Sequence, residues 1–184
     1  MEKTKIAVIG AGPAGIGVAI EVKAAGFAPA IVVEKAGHAC DTIVRFYQAG
    51  KRVDAVYQKV QVAPQGMLSF ATESKDDFLA RMNSLISGHG LDIRYGQECH
   101  KILVNGDTFH IFTSGGLQLE ADILVAAIGI FGRHVRPTYP VPKEIRHHVL
   151  FSLPKETPVG KDILVVGGGD SAAEAACFLC QQNR

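Results

Sequence analysis

Gly10-Ala11-Gly12-Pro13-Ala14-Gly15 spells Gly-x-Gly-x-x-Gly, and an acid, Glu34, follows Gly15 by 19 positions. Those residue types at that spacing can hold a pyrophosphate and a ribose. Gly10 allows a tight turn, Gly12 lets an anion approach bare backbone, and Gly15 lets a helix pack close to a sheet. The helix that follows offers N–H groups and the positive end of its dipole. An acid at position 34 accepts both hydroxyls of an adenosine ribose. A glycine-rich turn that binds nothing would leave that acid unexplained. A second run, Gly167-x-Gly169-x-x-Ala172, repeats the first at an offset of 157 residues. Two such motifs imply two dinucleotides and electron transfer between them.

Other reactive side chains form weaker patterns. Cys177-x-x-Cys180 has the spelling of a redox or zinc pair, but no second pair completes a metal site. On a helix behind the second motif, these two are expected as small buried hydrophobes. Cys40 and Cys99 are single thiols, and Cys40 lies where a redox role is conceivable. The seven His show no metal spacing, His147-His148 included. Arg133-His134-x-Arg136 reads as a solvated charged face or a phosphate contact. Asp41, Thr42 and Arg45 read equally as a surface loop or as a border of the cofactor site. No Gly-x-Ser-x-Gly or Walker sequence is present, and no side chain reads as a catalytic acid, base or nucleophile.

The elements that must position these residues are legible. Residues 5–9 (Lys-Ile-Ala-Val-Ile) are a short apolar run suited to a strand buried on both faces of a parallel sheet. A helix is expected over 13–25, ending at Gly26, and a second strand over 30–34. This is a βαβ unit. Residues 36–70, with scattered aromatics (Phe46, Tyr47, Tyr57) and bases (Lys51, Arg52, Lys59), show no clear period. Ser74 with Asp77 marks a helix start. Phe78, Leu79, Met82, Leu85 and Ile86 share one face of that helix, which Gly88 or Gly90 ends. Strands follow at 91–95, then at 99–104 and 108–113 around Asn105-Gly106, a strong hairpin signal. A third short strand at 117–120 and a buried strand at 122–128 come next. The Pro-rich stretch 136–142 crosses to another buried strand, 161–166, and a helix over 173–181.

Composition narrows the class. The formal net charge of +1 gives no electrostatic reason to expect nucleic acid or an anionic membrane surface. With 47% hydrophobic residues the chain is not disordered. The longest strand-like apolar run, 123–131, is about half of what a bilayer helix needs. Four Cys in 184 residues do not make a disulfide scaffold. A secretory signal would need residues 6–20 as its apolar helix, but Gly10, Gly12, Pro13, Gly15 and Gly17 interrupt it. The expectation is a cytoplasmic protein with reduced thiols.

The order of these elements resembles the flavoproteins of the pyridine nucleotide–disulfide oxidoreductase superfamily. Its thioredoxin-reductase-like branch and bacillithiol-disulfide-reductase relatives are most similar. The resemblance rests on 9–15, on the strand ending Val33-Glu34-Lys35, on the meander 99–120, on 122–129 and on 166–174. It implies an α/β fold: a Rossmann-like FAD-binding domain with an inserted β-meander over 1–131. Residues 132–184 would be a crossing segment and the first strand and helix of an incomplete NAD(P)H-binding domain. It implies that Gly10, Gly12, Pro13, Ala14 and Gly15 hold the FAD pyrophosphate, that Glu34 and Lys35 meet the adenosine, and that the main chain near Cys99 reads the adenine. Ala127 and Gly129 would pass close to FAD. Gly167, Gly169, Asp170, Ser171 and Ala172 would hold the pyrophosphate of NADPH or NADH.

The same resemblance implies hydride transfer from NAD(P)H through flavin to a small molecule or small redox protein, with a homodimer as a candidate assembly. Two features depart from it. No Cys-x-x-Cys precedes the second glycine motif, and Ala14 stands where bacillithiol relatives carry a Cys. Flavin monooxygenases share the glycine motifs, but of their linking signature only His147 and Phe151 are matched, with Val141 and Lys143 at its first positions. The chain ends before the segment with which such proteins return to the flavin domain, so a fragment or truncated product is expected. The alternatives are a non-catalytic FAD-binding module, a flavin monooxygenase-like enzyme, and a protein that binds NAD at the first motif.

Overall fold

Alternation within a short apolar run decides the centre of the molecule. The computed structural model describes residues 1–48, 50–56, 63, 65–130, 136–153 and 159–182. Tyr57, Lys59, Phe131, Arg133 and His134 lie outside the described residues. Strand β1 (Glu2–Ile9) sends Ile6 and Val8 to one face and Ala7 and Ile9 to the other. Both faces are covered, so the run reads as continuously apolar. Helix α1 (Pro13–Ala24) leads to β2 (Ala30–Val33), which pairs parallel to β1.

The stretch without a clear period contains a short helix, α2 (Asp41–Phe46), and β3 (Arg52–Val53), which pairs antiparallel with β4 (Glu73–Ser74). Helix α3 (Lys75–Gly88) starts where the sequence places it. The Ser74 hydroxyl accepts the Asp77 N–H at 3.1 Å, the bond that defines an N-cap. Strands β5 (Asp92–Arg94), β6 (Cys99–Asn105), β7 (Thr108–Thr113) and β8 (Gln118–Ala126) follow. The large sheet has the order β5-β2-β1-β8-β7-β6. Its β5-β2-β1-β8 part is parallel, and β6, β7 and β8 run antiparallel to one another. The α/β architecture with a meander is therefore as expected.

Each sheet face has its own core. Ile6, Val8 and Val32 pack with Ile16 and Ile20 of α1 and with Phe78 and Met82 of α3. Ala7, Ile31 and Val33 pack with Ile111, Leu119 and Ala121, so the meander covers the opposite face.

Three expectations change. The strands at 117–120 and 122–128 are one strand, because β8 pairs with β1 continuously from Leu119 to Ala126. That strand is not buried throughout. Pairing with β7 stops at Ala121, and Ile123, two residues on, is 50% exposed. Residues 161–166 form no strand, and Leu164 is 87% exposed. A parallel strand needs a neighbour for its N–H and C=O groups, and no described strand of its own unit supplies one. The chain divides into two compact units, Met1–Arg133 and His134–Arg184. The second contains an irregular proline-rich stretch, a 3-10 turn (Lys143–His148) and helix α4 (Asp170–Gln182).

Phe78 is fully buried and Val104 is 70% exposed. Phe78→Ala is expected to cost about 3–5 kcal/mol and Val104→Ala less than about 0.5 kcal/mol. Urea unfolding measures both. Equal midpoints would contradict this placement of the core.

Candidate functional site

The register of the parallel strands assembles the site. Ile9 lies opposite Val33 of β2 and opposite Ala126 of β8. The residues one step further, Gly10, Glu34 and Ala127, therefore emerge side by side at the carboxyl end of the sheet. Open α/β sheets bind ligands at that end. Backbone bonds hold the three exits together: Gly10 N–H donates to the Val33 carbonyl at 2.8 Å, and Ala127 N–H to the Ile9 carbonyl at 2.8 Å.

The three glycines of the first motif differ in what surrounds them. Gly10 has φ +106°, and a Cβ there would lie 2.5 Å from the Ala127 carbonyl oxygen. A Cβ on Gly15 would lie 1.9 Å from the Gly10 carbonyl oxygen. These two positions are closed by backbone. Around Gly12 nothing lies within 4 Å of an added Cβ. Gly12 is also the N-cap of α1, with no side-chain cap and no acid in the first turn. Pro13 takes the N1 position, where a missing N–H costs nothing. Bare backbone and the positive end of a helix thus face open space.

Glu34 is buried, and its carboxylate joins two loops. Oε2 accepts the Ala11 N–H and Oε1 the Ala36 N–H, both at 2.8 Å. The Ala11 carbonyl accepts the Cys40 N–H at 2.9 Å, the Glu34 carbonyl the Gln97 N–H at 2.8 Å, and the Ala36 carbonyl the Gly96 N–H at 3.0 Å. The glycine turn, the loop after β2 and the loop before β6 are one hydrogen-bonded body centred on Glu34. The bonds to Ala11 and Ala36 were not legible in the sequence, because backbone donors leave no residue signature.

Beside Glu34 opens a cleft lined by Lys35, Ala36, Gly37, His38, Asp41, Arg45 and Glu98. Asp41 and Arg45 border it, whereas Thr42 does not. Asp41 is held by Arg45 at 3.4 Å and faces the His38 ring at 3.6 Å. Cys99 begins β6 opposite Thr113 at a register irregularity, close to Glu98 of this cleft. Ala127 lies against Gly10, and Gly129 (φ +65°) turns the chain two residues later.

The second glycine motif has a related turn in its own unit. Gly167 has φ +141°, and an added Cβ would stand 3.3 Å from the Ala172 methyl. Gly169 is open on its Cβ side. Its carbonyl accepts the Ala172 and Ala173 N–H groups. Helix α4 starts at Asp170, so Asp170, Ser171 and Ala172 lie inside its first turn rather than before it.

The thiols divide sharply. Cys40 is buried, and burial, then the nearby Glu34 charge, push its pKa from 9.0 up to about 12. A thiol so raised is a poor nucleophile at neutral pH, which speaks against the redox role conceived for it. Cys177 and Cys180 are both exposed, contrary to the buried reading, and Leu179 is the buried residue of that stretch. Among the described residues, no three His, Cys, Asp or Glu groups come together as a metal site. No described helix is long and apolar enough to cross a membrane.

Glu34→Gln leaves one carbonyl oxygen and turns an NH2 group against a backbone N–H. Without any nucleotide it is expected to lower stability by about 1–3 kcal/mol, read from urea unfolding. Unchanged stability would contradict the clamp. Cys40 is expected to resist a thiol reagent at pH 8 until the chain unfolds. Its native pKa exceeds the ordinary one, so its contribution to stability is intact below pH 9.0 and is lost as pH rises toward about 12. Removing this thiol with Cys40→Ala should reduce that alkaline loss, as thermal melts across the range would show.

Comparison with known proteins agrees with this geometry. The family model described as pyridine nucleotide-disulphide oxidoreductase matches residues 7–184. The ferredoxin–NADP reductase of Ignicoccus hospitalis is 25% identical over 177 residues, 96% of this chain and 52% of that protein. The structure of bacillithiol disulfide reductase from Staphylococcus aureus superposes with a TM-score of 0.81 at 22% identity, covering 100% of this chain and 55% of that one. The Bacillus cereus enzyme gives 0.78 at 22%, covering 99% and 56%. The chain spans about half the length of the curated relatives it matches. With the family model covering nearly its whole length, the chain belongs to the pyridine nucleotide-disulphide oxidoreductase family.

Proposed function

We propose that residues 1–131 bind FAD and that the chain is the flavin-binding part of an NAD(P)H-dependent oxidoreductase. Residues 132–184 begin its nicotinamide-nucleotide domain. The observation that carries this reading is the open side of Gly12 at the uncapped start of α1, next to the Glu34 carboxylate. A pyrophosphate fits there because no side chain occupies the space and the helix end favours an anion.

Each residue then has a task. The backbone of Gly12, Pro13, Ala14 and Gly15 seats the diphosphate. Glu34 keeps two backbone donors and turns its remaining lone pairs to the ribose hydroxyls. Lys35 and the main chain near Cys99 border the adenine end, and Ala127 and Gly129 carry the chain past the flavin end. Gly167, Gly169, Asp170, Ser171 and Ala172 form the corresponding seat for NADPH or NADH. FAD supplies the two-electron chemistry that accepts hydride from a nicotinamide. The acceptor is a small redox protein, a reading supported by relatives named as ferredoxin–NADP reductases.

FAD added at about 100 times its dissociation constant is expected to stabilise the chain by about 2.7 kcal/mol and to remain bound as a yellow complex. Mass spectrometry of the released ligand separates FAD from NAD. Gly12→Val fills the open space at a φ of −77°, which any residue adopts. It should keep the fold by circular dichroism yet lose the FAD-dependent rise in melting temperature. A colourless chain that FAD does not stabilise would refute the proposal.

A further inference from the structure

A polar brace stands behind the loop that meets Glu34. The Gln97 N–H donates to the Glu34 carbonyl at 2.8 Å. The Gln97 side chain bonds elsewhere, to the turn between β7 and β8. Its Oε1 accepts the Thr113 hydroxyl at 2.5 Å and the Leu117 N–H at 3.4 Å. Thr113 is buried. A Cβ on Gly115 would stand 2.5 Å from Gln97 Oε1, so the turn lies directly against the carboxamide. The Ser114 N–H adds a bond to the Glu98 carbonyl at 2.9 Å. Residues 97–98 are therefore held from two sides, by Glu34 and by the turn at 113–117.

Place decides what the brace is for. Glu98, the next residue, lines the cleft beside Glu34, and Cys99 follows it. Under the FAD reading this main chain borders the adenine. Adenine carries an amino donor where guanine carries a carbonyl acceptor. Main-chain groups tell the two apart only when they are fixed in position, because a mobile strand can turn to suit either pattern. The bond to Glu34 pins the loop at one point and leaves it free to pivot. The Gln97 carboxamide and the Thr113 hydroxyl supply the second point. All of these residues belong to the first unit, Met1–Arg133.

We infer that Gln97 and Thr113 are positioning residues that set the preference of the nucleotide seat for adenine over guanine. This rests on the FAD reading above and names the side chains that fix its adenine end. Neither residue touches the base; both act through the main chain of Glu98 and Cys99.

Competition of ADP and of GDP against FAD on the 184-residue chain, followed by flavin fluorescence, tests it. Gln97→Met keeps the length of the side chain without its amide oxygen, and Thr113→Val keeps the shape without the hydroxyl. Each should weaken ADP about 10-fold, the worth of a lost hydrogen bond, and leave GDP unchanged. The ratio of ADP to GDP affinity then narrows about 10-fold. The double variant should be no weaker than either single one, because both remove the same bond. Thr113→Ser should restore the wild-type ratio. Circular dichroism should show all variants folded. A wild-type ratio in Gln97→Met or Thr113→Val would overturn the inference, and so would an equal loss for both nucleotides, the mark of a purely structural role. A wild-type chain that binds neither FAD nor ADP would instead remove the FAD reading and this inference together.

Discussion

Three pieces of backbone meet where no side chain fits, and the rest of the site follows from that crossing. The exit of β1 at Gly10 lies under the Ala127 carbonyl, and the first turn of α1 at Gly15 lies on the Gly10 carbonyl. A methyl at either place would enter the radius of a carbonyl oxygen that the sheet register fixes. Because α1 is held so close, its amino end lies beside the carboxyl end of β1. Gly12, the one glycine of the three whose Cβ direction is open, then faces solvent at the place the helix dipole makes attractive to anions. Packing fixes two of the three glycines; the third has open space on its Cβ side.

The structural role of Glu34 need not exclude the binding role proposed for it. Its carboxylate accepts N–H groups from Ala11 and Ala36, which would satisfy a bland reading of the residue. An ionised carboxylate offers about four lone-pair sites, and two bonds leave capacity for ribose hydroxyls. Burial raises the value of both uses, since charge-assisted bonds strengthen where water is excluded. The acid therefore sets the geometry of the glycine turn in the free chain, as the proposed nucleotide site would need. This is a form of preorganisation: the turn need not be ordered at the cost of binding energy.

What the sequence made legible was local and periodic. The βαβ unit, the Ser74 cap and the Asn105-Gly106 hairpin, with Gly106 at φ +59°, depend on a few adjacent residues. What it hid depends on distant partners. Glu120 and Asp122 looked like a break between two strands, yet a charged residue can sit within one strand when the sheet face beside it is open. Glu120 does so by pairing with Lys3 of β1 at 3.0 Å. Residues 161–166 are apolar enough for a strand, but apolarity does not supply a pairing neighbour. In the site, the glycines and Glu34 were visible by type and spacing. Ala11, Ala36 and the cleft residues His38 and Glu98 were not, because their contributions come from main chain or from long-range packing.

The two glycine turns also differ in a way their shared spelling conceals. In the first, the sixth position is Gly15, and its Cβ would meet Gly10 oxygen at 1.9 Å. In the second, Ala172 already carries that methyl, and it stands 3.3 Å from where a Gly167 Cβ would be. The turn at Gly167, with φ +141° against +106° at Gly10, leaves room for one carbon more between the preceding chain and the helix. A methyl in that space keeps helix and preceding chain further apart than glycine does. The first helix is consequently locked to its sheet by close backbone contact, whereas the second tolerates a side chain at the same step. Equal spacing thus leaves Gly12 and Gly169 equally open on their Cβ sides, but does not bring equal packing behind them.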